Sequence, residues 1–291
     1  MSSTAVPDRH TLNASFAWTR PTGPFSVLTE AQVEQYDHDG FVVLDDAFPA
    51  DVIAAVRDEI DRREARVEAY LAGLDDERFG IAEAGAITFS INLAHRSELL
   101  RRFVCHPLLV GLCGDLLGPD VDLYWDQAVY KKPEKPRRFP WHQDNGYTFV
   151  EPQCYVTCWI ALTDATADNG CPVVAPGLHR HGTFRHDYVD PLGWQIFESP
   201  PAAVTAPVRA GGIVVFSSLT PHMTGPNVTP DVRKAYIVQY SPAGARVVSD
   251  DGGDTTTSRD VLDQPHTFPV LRGGVPAAPQ PPASGTGPEG R

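Results

Sequence analysis

The sequence has few cysteines, no long apolar run and no excess of positive charge, and each absence excludes a class of protein. The five cysteines lie between residues 105 and 171, are odd in number and never show Cys-x-x-Cys spacing. Neither a disulfide framework nor a structural zinc site is therefore indicated. No stretch approaches 18 apolar residues, and residues 1–20 lack the apolar segment of a secretory signal. These features favour a cytoplasmic protein with reduced thiols.

Basic residues are scarce relative to acidic ones: 24 Lys and Arg stand against 37 Asp and Glu, a net charge of −13. This balance argues against nucleic acid or an anionic membrane as a partner. Apolar residues make up 42% of the 291 positions, which is enough for a full core. We expect an acidic enzyme with one catalytic domain that acts on a small molecule, and the sequence leaves the oligomeric state open.

Composition divides the chain into three parts. Residues 1–25 mix Ser, Thr, Pro and Asn without periodicity, which predicts a flexible N-terminal arm. Residues 26–248 carry regular patterns and form the predicted catalytic domain. Residues 249–291 end in a stretch of Pro, Gly, Ala and Ser without aromatic residues, so we predict a largely disordered tail.

Helical patterns come first in the domain and strand patterns follow. Thr29 and Gln32 form a predicted capping box for a helix that Gly40 ends, and apolar residues from Ile53 to Leu71 form one stripe of a long helix. Shorter helices are predicted near residues 98–103 and 107–117. Strands of period two are predicted at 121–130, 155–162, 172–175, 212–217 and 234–240. The pattern indicates a mainly β sandwich or jelly roll behind a helical N-terminal layer.

The segment Trp141–Tyr147 reads Trp-His-Gln-Asp-Asn-Gly-Tyr and carries the strongest chemical signal. On an extended strand, His142 and Asp144 would project from one face and could bind the same cation. The best third ligand is His222, far downstream. Two imidazoles and one carboxylate form the 2-His-1-carboxylate arrangement of non-heme Fe(II) oxygenases, which leaves positions for a cosubstrate and dioxygen.

Arg233 follows His222 by eleven positions, with turn residues between them. That spacing predicts a hairpin in which His222 ends one strand and Arg233 points inward from the next. A guanidinium there could hold a dicarboxylate by a bidentate pair. By contrast, His179, His181 and His186 lie in a polar stretch that predicts a solvated loop rather than a second metal site.

These motifs resemble the phytanoyl-CoA dioxygenase family of Fe(II)/2-oxoglutarate oxygenases. Trp159 and the run Asp-Asn-Gly-Cys-Pro-Val-Val-Ala-Pro-Gly-Leu-His at 168–179 add to the likeness, which covers roughly residues 28–245. The resemblance implies a double-stranded β-helix of the jelly-roll, cupin-like type. It also implies iron held by His142, Asp144 and His222, with 2-oxoglutarate and O2 as cosubstrates.

The resemblance assigns further roles in the cosubstrate pocket. Arg233 and the Thr224 hydroxyl would hold the distal carboxylate of 2-oxoglutarate. Gln127 would bond its chelating end, although a register shift of one residue would put Asp126 there instead. Trp159 would line the pocket, with plain core packing as the alternative.

Hydroxylation is the reaction that the resemblance favours, although the same chemistry can close rings, desaturate or epimerise. Because Asp144 is retained where halogenating relatives have a small residue, halogenation is not expected. No cluster of Lys and Arg offers a seat for the phosphates of coenzyme A. We therefore expect a small free metabolite or natural-product intermediate as substrate.

Substrate contacts are expected near the metal motif. Asn145, Tyr147 and Phe149 alternate along the chain beyond His142 and are predicted to reach the substrate. Phe89 and Asn92 are candidates for the opposite wall, with core packing as the alternative.

Two functions of other classes use the same residues. A Zn-dependent hydrolase could employ the three metal ligands and an activated water, but it has no need of Arg233. A non-catalytic cupin-like binding protein would keep the barrel without the chemistry, and the intact set of three ligands argues against it.

Overall fold

The computed structural model describes residues 6–250 and 256–277. In this part of the chain the helices are α1 (Glu30–Asp39), α2 (Ala50–Ala72), α3 (Leu93–Arg96), α4 (Glu98–Val104), α5 (Pro107–Leu117) and α6 (Asp144–Tyr147). The strands are β1 (Phe41–Leu44), β2 (Arg78–Phe79), β3 (Ala82–Glu83), β4 (Ile87–Ile91), β5 (Val121–Lys131), β6 (Phe139–His142), β7 (Phe149–Glu151), β8 (Val156–Ala161), β9 (Pro172–Val174), β10 (Asp187–Val189), β11 (Gly193–Gln195), β12 (Val204–Thr205), β13 (Ile213–Ser217), β14 (His222–Thr224), β15 (Arg233–Pro242), β16 (Arg246–Asp250), β17 (Thr256–Asp260), β18 (Phe268–Arg272) and β19 (Val275–Pro276). Short 3₁₀ turns cover Ala167–Asn169, Leu178–His181 and Val261–Asp263.

The described residues form four sheets, and the two largest, both antiparallel, make up the jelly roll. The larger has ten strands in the order β1-β13-β8-β15-β5-β4-β3-β2, with β18 and β19 added beside β5. The smaller has the order β12-β9-β14-β6, and β17-β16-β7 forms a third sheet. The predicted mainly β jelly roll with a helical N-terminal layer is confirmed.

Side-chain alternation on the larger sheet separates two cores. In β15, Tyr236, Val238 and Tyr240 pack with the helices in one cluster, whereas Ala235 and Ile237 belong to a second cluster on the inner face. Successive side chains of a strand point to opposite faces, so sequence parity decides which core each residue joins. The same parity selects the side chains that reach the space between the sheets.

The helical layer follows the local signals of the sequence. The Thr29 side chain accepts from the Gln32 backbone N–H, the Gln32 side chain accepts from the Thr29 backbone, and Gly40 ends α1 at φ +83°. This is the predicted capping box with a left-handed glycine cap. In α2, Val56 and Ile60 are buried against the outer face of the larger sheet.

The prediction of a disordered C-terminal tail is wrong for residues 256–277. β17 pairs with β16, and β18 pairs with β5. Phe268, Val270 and Leu271 are buried in the core that holds the helices. The average composition of residues 249–291 concealed this short apolar group, whose burial depends on strand pairing far along the chain. The rest of the predicted tail, apart from Ser249 and Asp250 in β16, lies outside the described residues.

The prediction of a flexible arm over residues 1–25 is wrong for its described part, which begins at residue 6. Asn13 is buried and donates a hydrogen bond to the Thr183 carbonyl at 2.9 Å. The Trp18 indole N–H donates to Asp37 Oδ1 at 2.7 Å. Single side-chain contacts, which have no periodicity, hold this segment on the domain. The first five residues lie outside the described part.

No helix in the described residues is both long and apolar enough to cross a bilayer. The longest one, α2, is long enough, but its outer face is charged. All five cysteines are free thiols. Cys113, Cys158 and Cys171 are buried, so their role in the structure is packing.

The C-terminal strand offers a test of its place in the core. We expect Phe268→Ala to lower the free energy of unfolding by about 3–5 kcal/mol, because truncating a buried ring leaves a cavity. Leu262→Ala, in the same segment but exposed, should change it by about 0.5 kcal/mol or less. Urea unfolding followed by circular dichroism measures both. Equal effects of the two variants would contradict the placement of β18.

Candidate active site

A cavity of about 670 Å³ lies between the two sheets. Inner-face residues of β4, β5, β8 and β15 form one wall, and residues of β6 and β14 form the other. Its size suits a small molecule together with a cosubstrate.

Three potential metal ligands meet at one side of this cavity. His222 of β14 lies opposite His142 of β6, with 4.1 Å between their ring centroids. Asp144 Oδ1 is 3.7 Å from His142 Nε2 and 3.8 Å from His222 Nε2. The donor atoms of the three residues lie within 4.8 Å of one another, so one cation can contact all of them.

Backbone carbonyls set the orientation of both imidazoles. His142 Nδ1 lies 2.9 Å from the Pro140 carbonyl, and His222 Nδ1 lies 3.0 Å from the Thr220 carbonyl. Because each Nδ1–H donates to oxygen, each Nε2 presents a lone pair to the cavity. Burial lowers the pKa of His142 well below its ordinary value, and the neighbouring His222 lowers it further. Neutral imidazoles and one carboxylate are the donor set that suits non-heme iron.

Asp144 is fixed by a hydrogen-bond chain from the larger sheet. Thr157 Oγ1 donates to Asp144 Oδ2 at 2.5 Å, and Gln239 Nε2 donates to Thr157 Oγ1 at 3.2 Å. Thr157 and Gln239 are paired across β8 and β15 and are both buried. With Oδ2 engaged, Oδ1 is the carboxylate oxygen that faces the imidazoles, which favours one-oxygen coordination.

The expectation that His142 and Asp144 share one strand is wrong. β6 ends at His142, and Asp144 begins the helical turn α6. Gly146 allows this turn, since a Cβ there would meet the His186 ring at 1.9 Å. The ligands converge through the turn rather than through strand alternation.

Gln143, between the two ligands, anchors the turn. Its amide donates to the carbonyls of Gly182 and Leu219, and its side-chain oxygen accepts from the Phe184 N–H. Its own backbone N–H donates to His186 Nε2 at 2.9 Å. The metal motif is thereby tied both to the segment after β9 and to the residues that precede β14.

The prediction of a solvated loop for His179, His181 and His186 is wrong for two of the three. His179 and His186 are buried, and each forms a hydrogen bond with a backbone group of a segment that is distant in sequence. Within the described residues, the only cluster that could hold a metal is the one formed by His142, Asp144 and His222.

Arg233 is a buried cation with free donors. Its Nη1 donates to the Val129 carbonyl at 3.3 Å, while Nε and Nη2 have no hydrogen-bond partner in the described residues. Its guanidinium lies 5.1 Å from the Trp159 ring centroid. Burial lowers the pKa of Arg233 to about 9, so it stays charged at neutral pH. Buried charges are normally paired, and these free N–H groups fit a carboxylate.

The predicted hairpin between His222 and Arg233 is wrong in detail. His222 begins β14 in the smaller sheet, and Arg233 begins β15 in the larger one. The connection therefore passes from one sheet to the other. Lys131 holds it, because its buried ammonium donates to the carbonyls of Thr224 and Gly225.

The register places Gln127 rather than Asp126 in the cavity. Asp126 points toward the helices and accepts from the backbone N–H groups of Leu93 and Ala94 and from the Tyr236 hydroxyl. Thr224 and Trp159 also line the cavity, beside Arg233 and Gln127.

Of the five predicted substrate residues, Tyr147 and Phe89 line the cavity. Asn145, Phe149 and Asn92 do not, and these predictions are wrong. Since α6 begins at Asp144, alternation fails there.

Each of the three has another role. The Asn145 amide donates to Thr183 Oγ1, Phe149 stacks on His10, and Asn92 adopts a left-handed φ of +56° just before α3.

Sequence reasoning missed several cavity residues. Thr157 and Gln239 share the strand parity of Trp159 and Ile237, so that parity was a usable signal. Trp125 likewise shares the strand parity of Gln127 on β5. The other aromatic residues and the C-terminal residues had no such signal. They are Phe79, Tyr124, Phe139, Arg259, Val261, Gln264, His266 and Thr267.

A jelly roll with two imidazoles, one carboxylate and a buried arginine at one cavity defines the class of non-heme iron oxygenases that use 2-oxoglutarate. The sequence matches the phytanoyl-CoA dioxygenase (PhyH) family model over residues 36–235, and the chain belongs to that family.

Known relatives agree with this assignment. Rat (Rattus norvegicus) peroxisomal phytanoyl-CoA dioxygenase is 26% identical over 256 residues, which cover 82% of this chain and 76% of the rat protein. Ectoine dioxygenase of Bordetella bronchiseptica is 27% identical over 237 residues, covering 74% and 75%. The solved non-heme α-ketoglutarate-dependent carbocyclase SnoK from nogalamycin biosynthesis is similar in fold, with a TM-score of 0.65, 24% identity and coverage of 78% and 90%.

The protein is a dioxygenase that depends on iron and 2-oxoglutarate. Neither a Zn-dependent hydrolase nor a non-catalytic cupin-like protein is favoured.

Thr157 provides a test of how Asp144 is oriented. We expect Thr157→Val to weaken metal binding roughly 10- to 100-fold, because the carboxylate loses its orienting hydrogen bond. Thr157→Ser keeps the hydroxyl and should stay near the wild type. Calorimetric titration of the metal-free protein with Co(II) measures the affinity. A Val variant with wild-type affinity would remove Thr157 from this role.

Arg233 provides a test of the cosubstrate end. We expect Arg233→Leu to raise the KM for 2-oxoglutarate roughly 30- to several-thousand-fold, equivalent to about 2–5 kcal/mol for an unpaired buried carboxylate. Arg233→Lys, with charge but no fork, should fall between. Arg209→Leu and Arg246→Leu serve as controls because neither residue lines the cavity. An unchanged KM in Arg233→Leu would place the anchor elsewhere.

Proposed function

We propose that the protein hydroxylates a small, largely apolar metabolite or natural-product intermediate. In the overall reaction, one oxygen atom of O2 enters the substrate and the other enters succinate, which is formed with CO2 from 2-oxoglutarate. One observation carries the proposal. A buried arginine with free N–H donors faces the same cavity as the three potential metal ligands, so a chelating dicarboxylate fits between them.

In this proposal the side chains divide the work. His142, Asp144 and His222 would hold the iron, which supplies the activation of dioxygen that side chains cannot perform. Arg233 would bind the distal carboxylate of 2-oxoglutarate, supported by the Trp159 ring beneath it. The iron would hold one end of 2-oxoglutarate and Arg233 the other, so that the cosubstrate has one orientation.

Aromatic rings would keep water from the reacting centre. Phe139 and Tyr147 pack edge-on against His142 at 4.7 and 5.3 Å, and Phe216 lies 4.4 Å from the His222 ring. Water exclusion strengthens the pairing of Arg233 with a carboxylate. It also protects a reactive intermediate from side reactions.

The cavity walls support a free metabolite rather than a coenzyme A thioester. Aromatic and aliphatic side chains dominate the lining, and Asp144 is the only carboxylate among the described residues that form it. In the part of the chain that the structure describes, the lining contains one cation besides Arg233, namely Arg259, and two cations are too few for the several phosphates of coenzyme A.

The proposal places the enzyme in the cytosol, where its five free thiols stay reduced. The acidic net charge supports the absence of nucleic acid and anionic membrane as partners. Recovery of the native protein with a membrane or nucleoid fraction would contradict this part.

The function is tested by anaerobic spectroscopy and turnover. We expect Fe(II) and 2-oxoglutarate to give a weak visible absorption band in the wild type, and oxygenated mixtures to form succinate. His142→Ala, Asp144→Ala and His222→Ala should each abolish both signals, because two remaining ligands hold iron poorly.

Circular dichroism controls for folding. Persistent succinate formation in any one variant would remove that residue from the metal site, and absence of the band in the wild type would refute the function. In the same assay, faster turnover of a CoA thioester than of its free acid would refute the substrate class.

A further inference from the structure

The C-terminal segment contributes a wall of the cavity that the metal and cosubstrate residues do not use. Arg259 of β17 lies opposite Val247 of β16, and both line the cavity. Val261, Gln264 and His266 continue the same wall. All of these residues lie beyond the stretch that matches the family model, which ends at residue 235.

Arg259 differs from the arginines beside it. Arg246, on the neighbouring strand, donates to the Ser258 carbonyl at 2.9 Å, and Arg272 pairs with Asp122. The Arg259 side chain makes no hydrogen bond or ion pair with any other described residue. An arginine whose side chain has no partner among the described residues, in a chain of net charge −13 and at the rim of a ligand cavity, is placed to meet an anion from outside the chain.

Polar groups near Arg259 fit the same purpose. The Tyr124 hydroxyl lies in the fields of both Arg259 and Asp144. Burial and Asp144 raise the Tyr124 pKa, Thr148 and Arg259 lower it, and the net result is a pKa of about 12. His266 packs edge-on against Trp125 at 5.5 Å and also lies within the field of Arg259. The outer end of the cavity thus combines one cation, a phenol and an indole.

The two arginines have different surroundings. Arg233 is buried in the cavity that the metal ligands line, whereas Arg259 is exposed on the C-terminal wall. The rings of Tyr124, Trp125 and Tyr147 line the cavity with them. An elongated apolar molecule with an acidic group at one end matches this distribution of charge and aromatic surface.

We propose that Arg259 binds an oxyanion of the substrate, a carboxylate or sulfonate, so that the enzyme selects apolar monoanions. This inference rests on the proposed function, since it assigns the inner arginine to 2-oxoglutarate and the outer one to the substrate. The anion fixes one end of the molecule at the C-terminal wall and directs the apolar end toward the metal ligands.

A matched pair of dyes tests the inference without knowledge of the substrate. The probes are 8-anilinonaphthalene-1-sulfonate and N-phenyl-1-naphthylamine, which share one apolar body and differ by the sulfonate. We expect the wild type to bind the sulfonate more tightly. Arg259→Gln should weaken that binding about two- to fivefold, a range suited to an exposed charge pair, and leave the neutral dye unchanged. Arg259→Lys should retain most of the preference.

Arg246→Gln is the control, since it removes the same charge from the same sheet outside the cavity. The full-length protein is titrated with and without Fe(II) and 2-oxoglutarate under nitrogen, and melting temperatures verify folding. If the proposed function is wrong, the wild type gives no visible band with Fe(II) and 2-oxoglutarate. If only the role of Arg259 is wrong, the band is present but the preference for the sulfonate dye does not depend on Arg259. The inference is overturned if the wild type does not prefer the sulfonate dye or if Arg259→Gln weakens the binding of both dyes equally. It is also overturned if Arg246→Gln weakens binding of the sulfonate dye as much as Arg259→Gln does.

Discussion

The antiparallel register of β5, β8 and β15 is the constraint on which the active site depends. Because the pleat has a period of two, a slip of one residue would exchange Gln127 with Asp126 and send Trp159 toward the helices. Asp126 stabilises the native register, since its buried carboxylate accepts from the Tyr236 hydroxyl and from two backbone N–H groups at the start of α3. An unpaired carboxylate in that core would cost several kcal/mol. The helical layer therefore determines which side chains reach the cavity.

Buried positive charge explains why this cavity suits a dicarboxylate. Lys131 and Arg233 are paired across β5 and β15, and both are buried. Burial lowers the pKa of each, and Arg233 further lowers that of Lys131. Backbone carbonyls satisfy Lys131, whereas Nε and Nη2 of Arg233 have no partner in the described residues. An incoming carboxylate compensates the desolvation of the arginine. The desolvated charge of Arg233 therefore provides both the binding energy and the specificity for an anion.

Residue type and spacing were enough to predict a sandwich or jelly roll and to single out His142, Asp144, His222 and Arg233, because few functions need that combination of residues. The local path of the chain was not predictable to the same degree. The turn at Asp144 depends on Gly146 packing against His186, a contact across 40 residues of sequence, and alternation drawn through that turn misplaced Asn145 and Phe149. The C-terminal strands were missed for the same reason. They are ordered by pairing with β5 and β16, which their own composition does not reveal.

The cavity thus has two ends of different construction. The reacting end is built by paired strands of two sheets, and each ligand is held by backbone carbonyls or by the chain from Gln239 through Thr157, so little can change there without loss of the metal geometry. The outer end is built by a turn at residues 79–82 and by the segment after residue 256, where Phe79 and Arg259 are exposed. Exposed side chains can be replaced at small cost in stability. Because the substrate is selected at the exposed end of the cavity, where substitutions cost little stability, the same metal end can serve enzymes with different substrates.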